Sequence, residues 1–490
     1  MSLPNIQFIQ STSGLGRPLP GTDFISGYLH YYTGTLPSGF TANTAKAIYS
    51  VSDAENLGIT DNHLGETASK AKLAITTASA SGDTLTLTYT GINSVEVTIL
   101  AAAVLSTNAT ASDTATEIAA LINAGTATHG FSATASSANV LIQTVSGQGI
   151  FPNNGTCYAF SKTGTVAATL TNPTGSGSTV LGVASFIDIA YYHISEYFRI
   201  QPKGKLWVMF SAQETTYTFE KIQTLQDQSL GEIKQVAVYE NNVAFDEDMC
   251  GVMQGVIDAC IADDKPLIAV MGAEIHSLSD LADFPDLTQQ EAPNVSISIS
   301  ADGDAQGYYL WQATGTTIGN VGALLGAISL SKVSDSIGWV EKFNMAKASE
   351  LDVIMFNNSE YYTGLSKGAL ETLHDKGALF LRKFVGLNGS YWSDSQSCVT
   401  PTSDYATIEN NRTYQKIVRT VRANMLPAIS SPIKVDADGK LSAATIGYFE
   451  SLANAPLVQM ESNGELSAHK VIINPDQDVL ATSTLELTLK

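Results

Sequence analysis

The sequence predicts a mixed α/β (α+β) protein of several domains, with an inserted, mainly β domain and strand-forming chain ends. Three observations carry this. From about residue 180 onward, apolar strand runs alternate with amphipathic helices, the texture of an α/β layer structure. Residues 71–180 hold only six of the chain's 26 basic and 47 acidic residues and are crowded with Ser, Thr, Ala and Gly. Both ends alternate apolar with polar residues, Ile6 and Phe8 at the start and Leu485, Leu487 and Leu489 at the finish. At 490 residues, 44% of them hydrophobic, the chain has ample material for cores and divides into two to four domains.

In chain order, residues 1–20 read as an N-terminal arm, 21–66 and 180–470 as a core of one or two subdomains, 67–179 as the insertion, and 471–490 as a C-terminal arm strand. Within the insertion, the runs Thr84–Tyr89 and Ser94–Ile99 alternate across the turn Gly91-Ile-Asn93 and predict a hairpin. Ser112 to Gly125 has a cap candidate in front, apolar residues at helical spacing and a closing Gly, and so predicts a helix. Strands follow at Phe131–Ala135 and Val140–Val145, before Gly/Ser punctuation from Asn172 to Ser178. In the core, strands are expected at Lys205–Phe210, Gln235–Tyr239, Pro266–Met271, Val295–Ser300 and Asp352–Asn357. Helices are expected at Asp246–Ala262, Gly319–Leu330, Ser366–Lys376, Tyr405–Ile429 and Ala443–Asn454.

A net charge of -21 repels phosphate backbones and argues against nucleic-acid binding. Met1 to Gln10 has neither the basic nor the apolar region of a secretory signal, so a cytoplasmic origin is expected. The uncharged stretch Ala305–Ser331 is too polar to span a membrane. Cys157, Cys250, Cys260 and Cys398 form no CxxC pair and read as buried thiols, and the seven histidines offer no zinc template. No cofactor is implied.

Several short strings invite chemical readings. Gly364-Leu-Ser-Lys-Gly368 is a literal GxSxG, but the nucleophile elbow needs a strand running straight into its first glycine. Here the strand candidate ends near Asn357, a turn-like Asn358-Ser-Glu-Tyr361 intervenes, and Ser366 reads better as a helix cap; His374 lies on that same helix and His469 is remote. Gly14-Leu-Gly16-Arg17 lacks the third glycine of a dinucleotide fingerprint, and Pro18 and Pro20 interrupt it. Asp436-Ala-Asp-Gly-Lys440 lacks the distal ligands of a calcium loop. Asn108, Asn154, Asn294, Asn388 and Asn411 begin glycosylation triplets that mean nothing without a secretory route.

The segment Asn411–Leu426 is more informative. At 100° per residue, Arg412, Lys416, Arg419 and Arg422 fall on one side of a helix, and Tyr414, Ile417, Val418, Val421 and Met425 on the other. Such a basic face is a solvated surface, pairs internally with the surplus carboxylates, or docks an acidic partner. The chain ends carry a similar choice, because a strongly patterned terminal strand pairs with its own domain or adds to a neighbour's sheet.

Ala47-Ile-Tyr-Ser-Val-Ser-Asp-Ala-Glu-Asn-Leu-Gly58, the α/β region, the basic helix and the closing strand Leu485–Leu489 together resemble the contractile tail-sheath family of bacteriophages and related injection systems. The resemblance covers roughly residues 1–65 and 180–490. It implies a sheath-type core whose terminal arms, through Ile6, Phe8, Leu485, Leu487 and Leu489, exchange strands with neighbouring subunits. It also implies a helix facing an inner tube, for which Arg412, Lys416, Arg419 and Arg422 are the candidates, and an insertion decorating the outside. The implied partners are further copies in a helical polymer, the tail tube, and baseplate and terminator proteins, with no nucleic acid and no membrane insertion. The function the resemblance implies is mechanical, not enzymatic, with contraction releasing stored conformational energy. Two other readings compete: a different tail, baseplate or surface-binding component forming a closed oligomer, and a serine hydrolase built on Ser366.

Overall fold

Strands that are apolar on both faces need cover on both faces, and the central sheet is built that way. In the computed structural model, which describes residues 21–428, 431–436, 440–477 and 485–489, six strands form this sheet. Their order is Val295–Ser298, Ile268–Gly272, Gln235–Tyr239, Ile25–Tyr32, Lys205–Ala212 and Lys46–Ile48. The first five run parallel and the last is antiparallel. Alternate side chains feed two cores. Tyr28, Val208, Phe210, Ala237 and Val270 face the helices Phe186–Ile200 and Val321–Leu330. Leu29, Met209, Val236, Val238 and Met271 face Lys221–Gln228 and Asp248–Ala262.

On the first face the two helices meet at glycines. A Cβ on Gly322 would lie 2.3 Å from the His193 carbonyl oxygen, and one on Gly326 would lie 3.0 Å from that of Tyr197. Only glycine permits this approach. The stretch Ala305–Ser331 thus yields two short helices, Gln306–Thr314 and Val321–Leu330, and no described helix is long and apolar enough to cross a membrane.

The sheet's central strand, Ile25–Tyr32, is absent from the sequence expectations because Ser26, Gly27 and His30 blur its pattern. Those polar groups are buried yet satisfied: Gln235 Nε2 donates to Ser26 Oγ at 2.9 Å, and the Tyr28 hydroxyl meets His30 Nδ1 at 2.7 Å. Helix Phe186–Ile200, capped by Ser185, is likewise absent from those expectations: it has no exposed face, and Asp188, His193 and Glu196 are buried among its apolar residues. The expected strand Val295–Ser300 divides into Val295–Ser298 in the main sheet and Ser300–Asp302, which pairs with Ile354–Phe356.

Residues 70–171 gather around a separate core that includes Leu73, Leu85, Tyr89, Ile118, Phe131 and Ile142. The pair Thr84–Thr90 and Glu96–Val104 is antiparallel, with Tyr158–Thr163 on the other side of the first strand. A second sheet runs Ser132–Ser136, Asn139–Gln143, Lys70–Thr77 and Ala167–Thr171. Helix Ala111–Ala124 starts earlier than its sequence suggested, because Thr110 and Asp113 form a reciprocal capping box. Backbone pairing of Thr67 with Val183 and of Lys70 with Val180 brings the two connections together. Glu66 accepts from the amides of Gly147 and Gly149, both at 2.7 Å, and Ile150 N donates to Ala313 O at 2.8 Å, so the segment is fastened to the main body away from its ends too.

The last unit pairs helix Ile408–Met425 with helix Ala443–Ser462. The second helix runs past its expected end and through Pro456, which cannot donate a backbone hydrogen bond. Burial of Ala453, Leu457 and Met460 against Val421 and Val471 carries it on.

Candidate assembly surfaces

The C-terminal strand, Leu487–Leu489, pairs antiparallel with Val471–Ile473, matching Val471 to Leu489, Ile472 to Thr488 and Ile473 to Leu487. Leu485 and Leu487 lean on a small core of Ala428, Leu441, Phe449 and Ile473, while Leu489 is left 37% exposed. The period-two pattern read from the sequence is therefore the pattern of a strand with one covered face. Among the described residues this sheet has two strands only, and its outer edges carry no further strand. Ile6, Phe8 and the Gly14–Arg17 turn lie outside the described residues.

The basic helix starts at Ile408 because the Thr407 hydroxyl accepts from Asn410 N, and it ends in a single tight turn at Leu426–Ala428. Three of its four cations turn inward, the internal pairing that the sequence left open beside docking. Arg412 is 3% exposed; its guanidinium donates to Ser331 Oγ at 2.6 Å and to the Lys332 carbonyl at 3.2 Å. Lys416 lies between Asp23, at 2.7 Å, and Glu465, at 2.6 Å. Arg419 reaches the other oxygen of Asp23 at 3.0 Å. Arg422, half-exposed, pairs with Asp264 at 2.6 Å. The physical reason is that Asp23, just ahead of the central strand, and Glu465 are themselves drawn toward the interior and need counter-charge.

Burial alone would raise the Asp23 carboxyl. The Lys416 hydrogen bond and the charges of Lys416, Arg419 and Arg412 outweigh that and hold it below its ordinary value. Burial pushes Arg412 down to about 10 and also lowers Arg419, against the pull of Asp23. Lys234 belongs to the same neighbourhood; burial, then the charge of Arg419, bring it down to about 8. The role of Asp23 had no signal in the sequence, since a lone carboxylate in Gly-Thr-Asp-Phe looks like any turn residue.

The apolar side of the helix divides in two. Ile417, Val421 and Met425 pack on the second helix, as expected of a core face. Tyr414 and Val418 remain 50% and 37% exposed, beside Tyr405. At the GxSxG string the strand ends at Phe356 and does not enter Gly364; Ser366 Oγ accepts from Ala369 N at 3.2 Å and caps helix Lys367–Asp375. His374 turns to Asp394, at 3.2 Å, and His469 lies 3.1 Å from Asn454. No nucleophile–base pair forms there. All four cysteines are free and buried.

No curated protein matches the chain by sequence. Among solved structures, the chain is similar to a component of the anti-feeding prophage baseplate, at 10% identity and a TM-score of 0.47, covering 100% of this chain and 95% of the other. It is similar to the helical sheath of the anti-feeding prophage in its contracted state, at 11% identity and a TM-score of 0.49, over 100% and 95% of the two chains. The sheath tail protein of Listeria innocua gives 12% identity and a TM-score of 0.40, over 92% and 88%. The family described as DUF2586, N-terminal domain, matches residues 3–396, and DUF2586, C-terminal domain, matches residues 404–490. Together they take in almost the whole length, and the chain belongs to the DUF2586 family.

Proposed function

We propose that the chain is a structural subunit of a contractile tail sheath, which polymerises helically around an inner tube and contracts to drive that tube through a target envelope. The observation that carries this reading is the terminal hairpin. A two-stranded sheet is marginally stable alone, and among the described residues no further strand pairs with either of its outer edges. A neighbour's arm satisfies both needs. The N-terminal arm, with Ile6 and Phe8, supplies the strand that joins Val471–Ile473 and Leu487–Leu489 of an adjacent copy. The sequence resemblance described above points the same way.

In this arrangement residues 67–179 decorate the outside, because their two connections lie side by side and leave the main sheet uninterrupted. For the basic helix we favour a bracket over a tube-facing stripe. Its inward cations tie the C-terminal unit to the start of the central strand, and the half-exposed Arg422 is itself paired with Asp264. The tube and the baseplate and terminator proteins remain the expected partners.

Negative-stain electron microscopy of the full chain tests the proposal. Hollow cylinders of uniform width are expected, and their loss is expected when Leu485–Lys490 is deleted. Normal cylinders from the truncated chain would sink the strand-exchange scheme; small closed rings from the intact chain would favour the closed-oligomer reading instead.

A further inference from the structure

Two exposed apolar features of this chain complement each other. The first is a knob. Leu387 N donates to Phe384 O at 3.1 Å, closing a turn over Phe384-Val-Gly-Leu387, and Gly386 sits at φ 89°, the third-position conformation of a type II turn. Val385 at the tip is fully exposed and Leu387 is 52% exposed. The base is stiffened by the Arg382 guanidinium, 4.3 Å from the Phe384 ring centre, and by the edge contact of Phe384 with Tyr391 at 5.7 Å. The knob is also cationic. Lys383 is paired with Asp352 at 2.9 Å, but Arg382 has no carboxylate at ion-pair distance among the described residues.

The second feature is a groove of about 240 Å³ beside the basic helix, lined by Ile261, Pro266, Pro293, Tyr405, Tyr414 and Val418. The two tyrosines stand edge to face at 5.3 Å. Its surroundings are acidic. Gln254 links the groove to Asp258, accepting from Asn294 N at 2.9 Å and donating to the Asp258 carboxylate at 2.7 Å. Asp404, exposed, adjoins Tyr405. The cations close by are already engaged, Lys265 with Asp227 at 2.5 Å and Arg422 with Asp264 at 2.6 Å.

We infer that the Phe384–Leu387 turn of one copy docks, Val385 first, into the groove beside the basic helix of the next. An apolar contact flanked by opposite charges, Arg382 on the knob and Asp258 and Asp404 near the groove, has the anatomy of a specific interface. The turn loses little freedom on docking because it is already held in shape. Knob and groove are both open in a single copy and are different patches, so the contact is heterologous, and it propagates without closing unless the rotation happens to form a ring. The inference rests on the self-assembly reading and adds a second contact, independent of the chain ends.

Cysteine cross-linking of the full chain separates the two ideas, and the four native thiols, being buried, do not interfere. A mixture of V385C and V418C chains should give disulfide-linked dimers, neither variant alone should link, and the double variant should give a ladder. Val385→Asp should raise the concentration needed for assembly by roughly tenfold or more, from the lost burial of one aliphatic side chain. Cylinders that form without the V385C–V418C link, or V385C linking to itself, overturn this contact and leave the sheath reading intact. Wild-type chains that never associate overturn both.

Discussion

Replacing Asp23 with asparagine removes the carboxylate that Lys416 and Arg419 share, while changing hardly any volume. Each contact, at 2.7 and 3.0 Å, has a gross attraction of roughly 6 kcal/mol at an effective dielectric of about 20. Most of that is offset by the cost of taking the ions out of water, and removing one partner of a buried pair typically costs about 3–5 kcal/mol. Two features place Asp23→Asn near the low end. The Asp23 side chain keeps 26% of its exposure, and Lys416 retains Glu465. A loss of about 3 kcal/mol is expected, confined to the joint between the C-terminal unit and the central sheet, so a global midpoint is the wrong observable. Hydrogen exchange along Ile408–Met425 is the right one, and it should accelerate by about two orders of magnitude while Gln235–Tyr239 is unchanged. The double variant Asp23→Asn/Arg419→Gln should recover part of the loss, with a coupling of about 1–3 kcal/mol. The pH dependence has a definite sign. Asp23 is held below its ordinary value of 3.8, so its stabilisation is fully present above that value and disappears as the pH falls through the lower folded value. Variant and wild type should therefore converge in strong acid. Exchange rates that match at neutral pH would refute the bracket role of the helix.

Two other perturbations probe the main body. Asp302 accepts from Ala305 N and Gly307 N through one oxygen, and burial outweighs these backbone hydrogen bonds and pushes its carboxyl up to about 6. A raised carboxyl costs stability as pH climbs from the unfolded value toward the folded one, so urea resistance should fall between about pH 4 and pH 6; Asp302→Asn should flatten that slope and gain roughly 1–3 kcal/mol at pH 8, and an unchanged profile would refute it. Excising residues 68–182 and joining Thr67 to Val183, whose backbones already pair, should leave a folded chain that still assembles; loss of cylinders from a folded product would assign the segment an assembly role.

Much of the architecture was legible in residue order because it rests on short-range pattern. Alternation located the hairpin Thr84–Thr90 with Glu96–Val104, and apolar runs the strands at Lys205, Gln235 and Ile268; helical spacing located Asp248–Ala262, Val321–Leu330 and Ile408–Met425; Ser366 announced itself as a cap. Where the pattern was broken by polar groups satisfied at long range, reading failed: Ile25–Tyr32 is the middle of the sheet, but its Ser26 finds its partner more than 200 residues away at Gln235. The terminal alternation of Leu485, Leu487 and Leu489 correctly marked a strand, while only the folded chain showed Val471–Ile473 as its partner.

The basic helix shows the division most plainly. Its amphipathic spacing was written in the sequence, together with the alternatives of internal pairing or an outward stripe. Which alternative holds depends on Asp23 and Glu465, hundreds and tens of residues away, arriving beside it. Once those carboxylates are partly buried, the cations must follow them inward, and Tyr414 and Val418 are turned to the surface instead. Periodicity decides that a helix has two faces; the charges it meets in three dimensions decide which of them is inside.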